Sequence, residues 1–157
     1  MEQLAFQDVF SGDLSQCWGC GCHNPHGLQI KSYWAEEGQE TICTWQPQDQ
    51  HTAAWLNVLS GGIIASLIDC HSVSTAMMVA LHDAGYAWTS EPPVIYITAS
   101  LQVTYLKPTP MTSPVTIRAR VTEKGKKKML VQSSLFAQDE LCARGEVVAV
   151  RYTPATQ

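Results

Sequence analysis

Residues 60–85, SGGIIASLIDCHSVSTAMMVALHDAG, are the stretch on which the fold turns. Ile63, Ile64, Leu67, Ile68, Met77, Met78 and Leu81 recur at helical spacing, and no proline interrupts them. Ser60 suits an N-cap, since its side-chain oxygen can accept a bond from an amide left free in the first turn. Gly85 suits the stop. Apart from His71 and His82 the interior is apolar or small and neutral, with Asp69 the one formal charge before the final turn. A helix apolar around most of its circumference is normally buried. It is too interrupted by Asp, His and Ser to be read as a membrane span. A carboxylate inside a buried helix is costly unless it is paired or has a task. Asp69 is the residue to explain.

Outward from this helix the chain reads as strands. Before it, Leu28–Ala35 and Glu40–Gln46 are joined by a polar turn through Glu36, Glu37 and Gly38. The segment Pro47–Leu59 is irregular and carries His51, read as a solvated loop histidine. After it, Val94–Leu106 alternates, with Ile95, Ile97, Ala99, Leu101, Val103 and Tyr105 on one face and Thr98, Ser100, Gln102 and Thr104 on the other. Val115, Ile117, Ala119 and Val121 alternate in the same way. Gly125 turns the chain into Met129–Gln138, and Asp139-Glu140 turns it into Leu141–Tyr152. Short turns imply antiparallel pairing. One long apolar helix against such a sheet is an α+β arrangement, with the sheet curved around the helix.

The 157 residues fit one domain with room for a core, and 45% hydrophobic residues with a formal charge of −4 fit a globular protein. No broad basic surface is implied, which argues against nucleic-acid binding. The start, MEQLAFQDVF, lacks the basic end and apolar run of a secretory signal, so a cytoplasmic setting with six reduced cysteines is expected. CWGCGCHNPHGLQI, residues 17–30, crowds Cys17, Cys20, Cys22, His23 and His26 together. Cys-x-x-Cys is a metal-ligand spacing. However, no second such pair follows, and the Gly, Asn-Pro and His-Gly content reads more simply as tight turns. No metal site is expected.

Three stretches resemble the hotdog-fold acyl-CoA thioesterases, in the branch related to the phenylacetic-acid-degradation thioesterases. Ser60-Gly61-Gly62 followed by Asp69 is similar to the family's His-Gly-Gly start with an acidic residue nine positions after the His. ITASLQVTYLKPTP, residues 97–110, resembles the strand and break that follow the family's helix. CWGCGCHNPHGLQI is similar to a Cys-Phe-Gly-Cys-Gly-x-x-Asn-Pro-x-Gly-Leu segment of many relatives.

The resemblance implies a single hotdog domain over residues 1–157, with residues 1–27 as an arm and turn-rich Cys/Gly segment. It implies a homodimer or homotetramer with active sites between subunits, an acyl-CoA substrate and no cofactor. Asp69 becomes the carboxylate that attacks the thioester or activates water. Amides near Gly61 and Gly62 become the oxyanion donors, a role that a helix N-terminus also supplies on physical grounds; such donors are worth about 3 kcal/mol each. Ser60 stands where the family has its His, and a serine hydroxyl is no base near neutral pH. Thr98 and Ser100 are candidate substrate contacts. Lys124, Lys126, Lys127 and Lys128 form a basic turn able to attract coenzyme A phosphates. A non-catalytic acyl-CoA or hydrophobic-ligand binding protein on the same fold is the competing reading, and a hydratase using Asp69 and His71 a weaker one.

Overall fold

A computed structural model describes residues 3–55, 57–87, 89 and 92–153. Two short 3-10 turns, Phe6–Val9 and Gly12–Gln16, precede strands β1 (Tyr33–Glu36) and β2 (Glu40–Trp45). Helix α1 (Gly61–Asp83) follows, and then β3 (Ile95–Tyr105), β4 (Val115–Lys124), β5 (Lys128–Ala137) and β6 (Glu140–Tyr152). The six strands form one antiparallel sheet in the order β1-β2-β4-β5-β6-β3. The sheet curves around α1. This is the hotdog fold.

The helix boundaries follow from local chemistry. Gly85 holds a positive φ of 75°, its N–H donates to the His82 carbonyl at 3.0 Å, and the Tyr86 N–H donates to the Leu81 carbonyl at 3.0 Å. This crossed pair satisfies the last carbonyls, and a left-handed residue there favours glycine. At the other end Ser60 holds the N-cap position, but its side chain makes no cap bond. The Ser60 carbonyl accepts the first helical bond, from Ile64 N–H at 3.1 Å, and its own N–H donates to the His51 carbonyl at 2.9 Å.

Leu67, Ile68, Met78 and Leu81 of α1 meet Ile117, Val131, Leu135 and Val147 of the sheet in one buried core. The helix comes down closest at Gly145. A side-chain carbon there would lie 2.2 Å from Ile68 Cγ2, so only a hydrogen fits. By length and composition α1 could cross a membrane, but most of it is buried inside this core.

Two expectations need correction. The first strand begins at Tyr33 rather than Leu28, because that part of the backbone is already engaged. Leu28 N–H donates to the Trp18 carbonyl at 2.9 Å and Ile30 N–H to the Gly19 carbonyl at 3.1 Å, with Gln29 at φ 51° between them. The cysteine-bearing loop has taken the strand's hydrogen bonds. The second correction concerns β3, whose alternation does not run in one phase. A bulge separates Thr98, paired with Ala149, from Ser100, paired with Val148. Ala149 and Val147 are fully buried, so Tyr96 and Thr98 face the helix before the bulge and Leu101, Val103 and Tyr105 face it afterwards. An inserted residue reverses the two faces.

Candidate active site

The phase reversal matters because it aims Thr98 at α1. Thr98 Oγ1 donates to Asp69 Oδ1 at 2.5 Å. Both residues line a cavity of ≈ 300 Å³ walled by Phe10, Leu14, Val73, Met77, Tyr96 and the thiols of Cys17, Cys20 and Cys70. Its volume sits at the low end of the range for small-molecule sites. Two hollows of ≈ 480 Å³ lie elsewhere, but polar side chains dominate their linings, which does not suit an acyl group. Burial pushes the Asp69 carboxyl above the ordinary aspartate range; the Thr98 hydroxyl partly offsets this, and charge on Cys17 adds to the rise. Met77, read as plain core, is both buried and part of the cavity wall.

Gly61, Gly62 and Ser60 are not beside Asp69 in the same chain. Seven residues separate Gly62 from Asp69, about 10 Å of helical rise. Tyr105 covers the helix start, its hydroxyl donating to the Gly61 carbonyl at 2.7 Å. A side-chain carbon on Gly61 would crowd that ring at 3.3 Å. Ser100 lies past the bulge, is exposed and does not line the cavity. Lys124 pairs with Asp83 at 2.7 Å, at the C-terminal end of α1. With Lys124 anchored there, the turn that holds Lys126 and Lys127 lies at the far end of the helix from Gly61, and within one chain it does not meet the cavity. Of the sequence-derived site residues, one chain brings together Asp69 and Thr98.

His51 sits partly covered in a short 3-10 turn, Asp49–His51, before α1. Its Nδ1 accepts from the Gln48 N–H at 3.0 Å and its ring packs on Trp45, with centroids 4.8 Å apart. His71 is fully buried, its Nδ1 2.8 Å from Ser32 Oγ and its Nε2 3.2 Å from Thr41 Oγ1. Thr41 also meets Thr75 at 2.6 Å, while Gln7 bridges Ser32 and Ser74 at 2.9 and 3.0 Å. Burial holds the His71 imidazole down to about 4. Both ring nitrogens are engaged inside the core and not turned toward Asp69, which speaks against the hydratase pairing of Asp69 with His71.

Sequence reasoning missed Cys70. It places a third sulfur against Cys17 and Cys20, with all three within 4.8 Å of one another. Its position next to Asp69 was the available signal. Hydrogen bonds from Cys20 and then Cys70 hold the Cys17 thiol well below its usual range, and the same contacts push Cys20 and Cys70 up. Three adjacent thiols titrate as a set.

The sequence profile of the thioesterase superfamily matches residues 56–144, more than half of the chain. The chain belongs to the thioesterase superfamily. A crystal structure of a thioesterase superfamily protein from Shewanella loihica is 34% identical, covers 94% of this chain and 99% of its own, and superposes with a TM-score of 0.65. The Escherichia coli PaaI protein, from the phenylacetic acid degradation operon, is 16% identical over 80% of this chain and 81% of its own, with a TM-score of 0.65. A phenylacetic acid degradation-related protein from Ralstonia eutropha, described as a putative thioesterase, is 19% identical over 77% of this chain and 82% of its own, with a TM-score of 0.59. At those identities the last two show the fold alone. No curated protein matches the chain. Membership of the superfamily supports thioester hydrolysis in general.

Proposed function

We propose that this thioesterase hydrolyses acyl-CoA thioesters with a compact acyl group, a short chain or single ring, using Asp69. The observation that carries the reading is Asp69 itself: a helix carboxylate, held by Thr98, on the wall of an otherwise apolar cavity. The acyl group lies among Phe10, Leu14, Val73 and Met77, which brings its carbonyl carbon to the Asp69 end. Asp69 takes a proton from water as the water oxygen bonds to that carbon, and the tetrahedral adduct then expels the coenzyme A sulfur as the C–S bond breaks. In the nucleophilic route Asp69 bonds to the carbon itself, the C–S bond breaks as the anhydride forms, and water then opens the anhydride. In both the thiolate collects a proton, giving free acid and coenzyme A. A carboxylate whose neutral form is favoured by burial suits proton transfer near neutrality.

The oxyanion donors at Gly61 and Gly62 enter this reading through a second copy, because about 10 Å of helix separates them from Asp69 in one chain. Strand β3 supports pairing between chains. It lies at the sheet edge, is 11 residues long, and leaves Ile97 44%, Leu101 39% and Tyr105 53% exposed. Such an edge invites another chain. The lysine turn would likewise act on coenzyme A phosphates only from a neighbouring subunit. A homodimer is the smallest assembly that completes the site.

Thiol release from a panel of acyl-CoAs, measured for wild type, Asp69→Ala and Asp69→Asn, tests the assignment. Turnover that favours short or single-ring acyl groups and is lost in both folded variants supports it. Binding without thiol release from any member overturns it in favour of the binding-protein reading.

A further inference from the structure

We propose that Cys17, Cys20 and Cys70 form a three-thiolate site for a thiophilic d10 cation, zinc in the first instance, in the wall of the cavity. Among the described residues this is the one place where three ligating side chains converge, their sulfur atoms all within 4.8 Å and Cys17 Sγ 3.9 Å from Cys70 Sγ. Zinc bound to thiolates at about 2.3 Å in tetrahedral geometry needs sulfurs about 3.8 Å apart. The Cys17–Cys70 separation already fits, and the others need to close by at most about 1 Å for the three to share one ion. They do not resemble a disulfide and a spare thiol: 3.9 Å is far from the bonding distance of about 2 Å, and a single pair would leave the third sulfur without a role.

The backbone around the sulfurs is shaped for this convergence. Gly19 lies over Cys70, and a side-chain carbon there would stand 2.2 Å from Cys70 Sγ. Gly21 closes the turn, its N–H donating to the Cys17 carbonyl at 2.7 Å, and a side-chain carbon would strike Ser15 and Cys17 backbone at 2.4–2.6 Å. Cys22, two residues further on, turns away and meets the Phe10 carbonyl at 3.9 Å.

Soft sulfur donors select zinc or copper(I) over hard cations. Three protein ligands leave the fourth position open, here toward the cavity that Asp69 shares. The bound ion would tie the loop 17–21 to α1 and fix one wall of the pocket. This inference stands on the sulfurs and does not depend on the reaction assigned to Asp69.

The test is zinc uptake by reduced, full-length protein, read by competition with a chromophoric chelator. One zinc per chain is expected for wild type and for Cys22→Ser, and none for the Cys17→Ser/Cys70→Ser double variant. Cys17→Ser alone should weaken binding beyond the roughly 10–100-fold that loss of an outer-shell partner costs. Cobalt in place of zinc gives thiolate-to-metal charge-transfer bands, which read the ligand type in wild type even where a variant fails to fold. Zinc retained equally by the double variant, no uptake by the reduced wild type, or cobalt binding without those bands would overturn the proposal.

Discussion

Asp69 and His71 stand two residues apart on the same helix, and the chain treats them in opposite ways. His71 has both ring nitrogens answered, by Ser32 and Thr41, in a network that reaches Gln7, Ser74 and Thr75. Asp69 has Thr98 at one oxygen and a cavity beside it. A spacing of two sends the side chains to different sides of a helix. One side meets Ser32 and Thr41, and the other meets the cavity walled by β3 and by Phe10 and Leu14 of the arm. Burial alone therefore does not separate a structural polar group from a working one. What separates them is whether the fold fills the remaining valences.

Mutation should break this symmetry in opposite directions. Asp69→Asn keeps shape and removes the base, and thiol release should fall by about 10²–10⁴-fold with the thermal midpoint held or raised. His71→Ala should do the reverse. Leaving Ser32 and Thr41 unpaired beside a new void costs about 3 kcal/mol, seen in a urea titration, while turnover per folded molecule is kept. An Asp69→Asn protein that unfolds early but still turns over would erase the distinction.

Glu40 offers an intermediate case, an acid answered at the surface. Burial raises its carboxyl, but Arg120 and Arg118 outweigh this and the net shift is downward. A depressed carboxyl stabilises the fold above the unfolded glutamate value of about 4.3, and the gain is lost as pH falls through the lower folded value. Glu40→Gln should therefore flatten the acid limb of stability by at most about 1 kcal/mol and leave it unchanged at pH values below both. The smallest effect belongs to Ser60→Ala. With no side-chain cap bond to lose, it should shift stability by less than about 0.5 kcal/mol, against the ~1 kcal/mol usual for an N-cap serine.

The helix, its glycine stop, the succession of strands along the chain and the antiparallel turns were legible, because apolar periodicity and turn chemistry are local signals. Asp69 was legible as the one charge that burial makes expensive. Thr98 was singled out as a substrate contact on the polar face that alternation gives it, whereas a bulge turns it to the helix side, where it donates to Asp69. Nothing in ITASLQVTY marks the extra residue. The cysteine loop failed differently. Its ligand spacing was visible, but its third sulfur sits on a helix 50 residues away and is brought near only by the tertiary fold. The lysine turn was read from charge, which carries no information about which end of α1 it caps.

The N-terminal arm has a consequence for how the molecule assembles. Gln7 finds its partners 25 and 67 residues downstream, at Ser32 and Ser74. The first of these contacts needs only the chain up to β1, but the second needs the middle of α1 as well. Contacts of such sequence separation carry a loop-closure cost and form slowly. Phe10, Leu14 and Cys17 travel with the arm, so the pocket gains this wall only when the arm docks on α1. One wall of the cavity is thus held in place by a long-range contact and not by its neighbours in sequence.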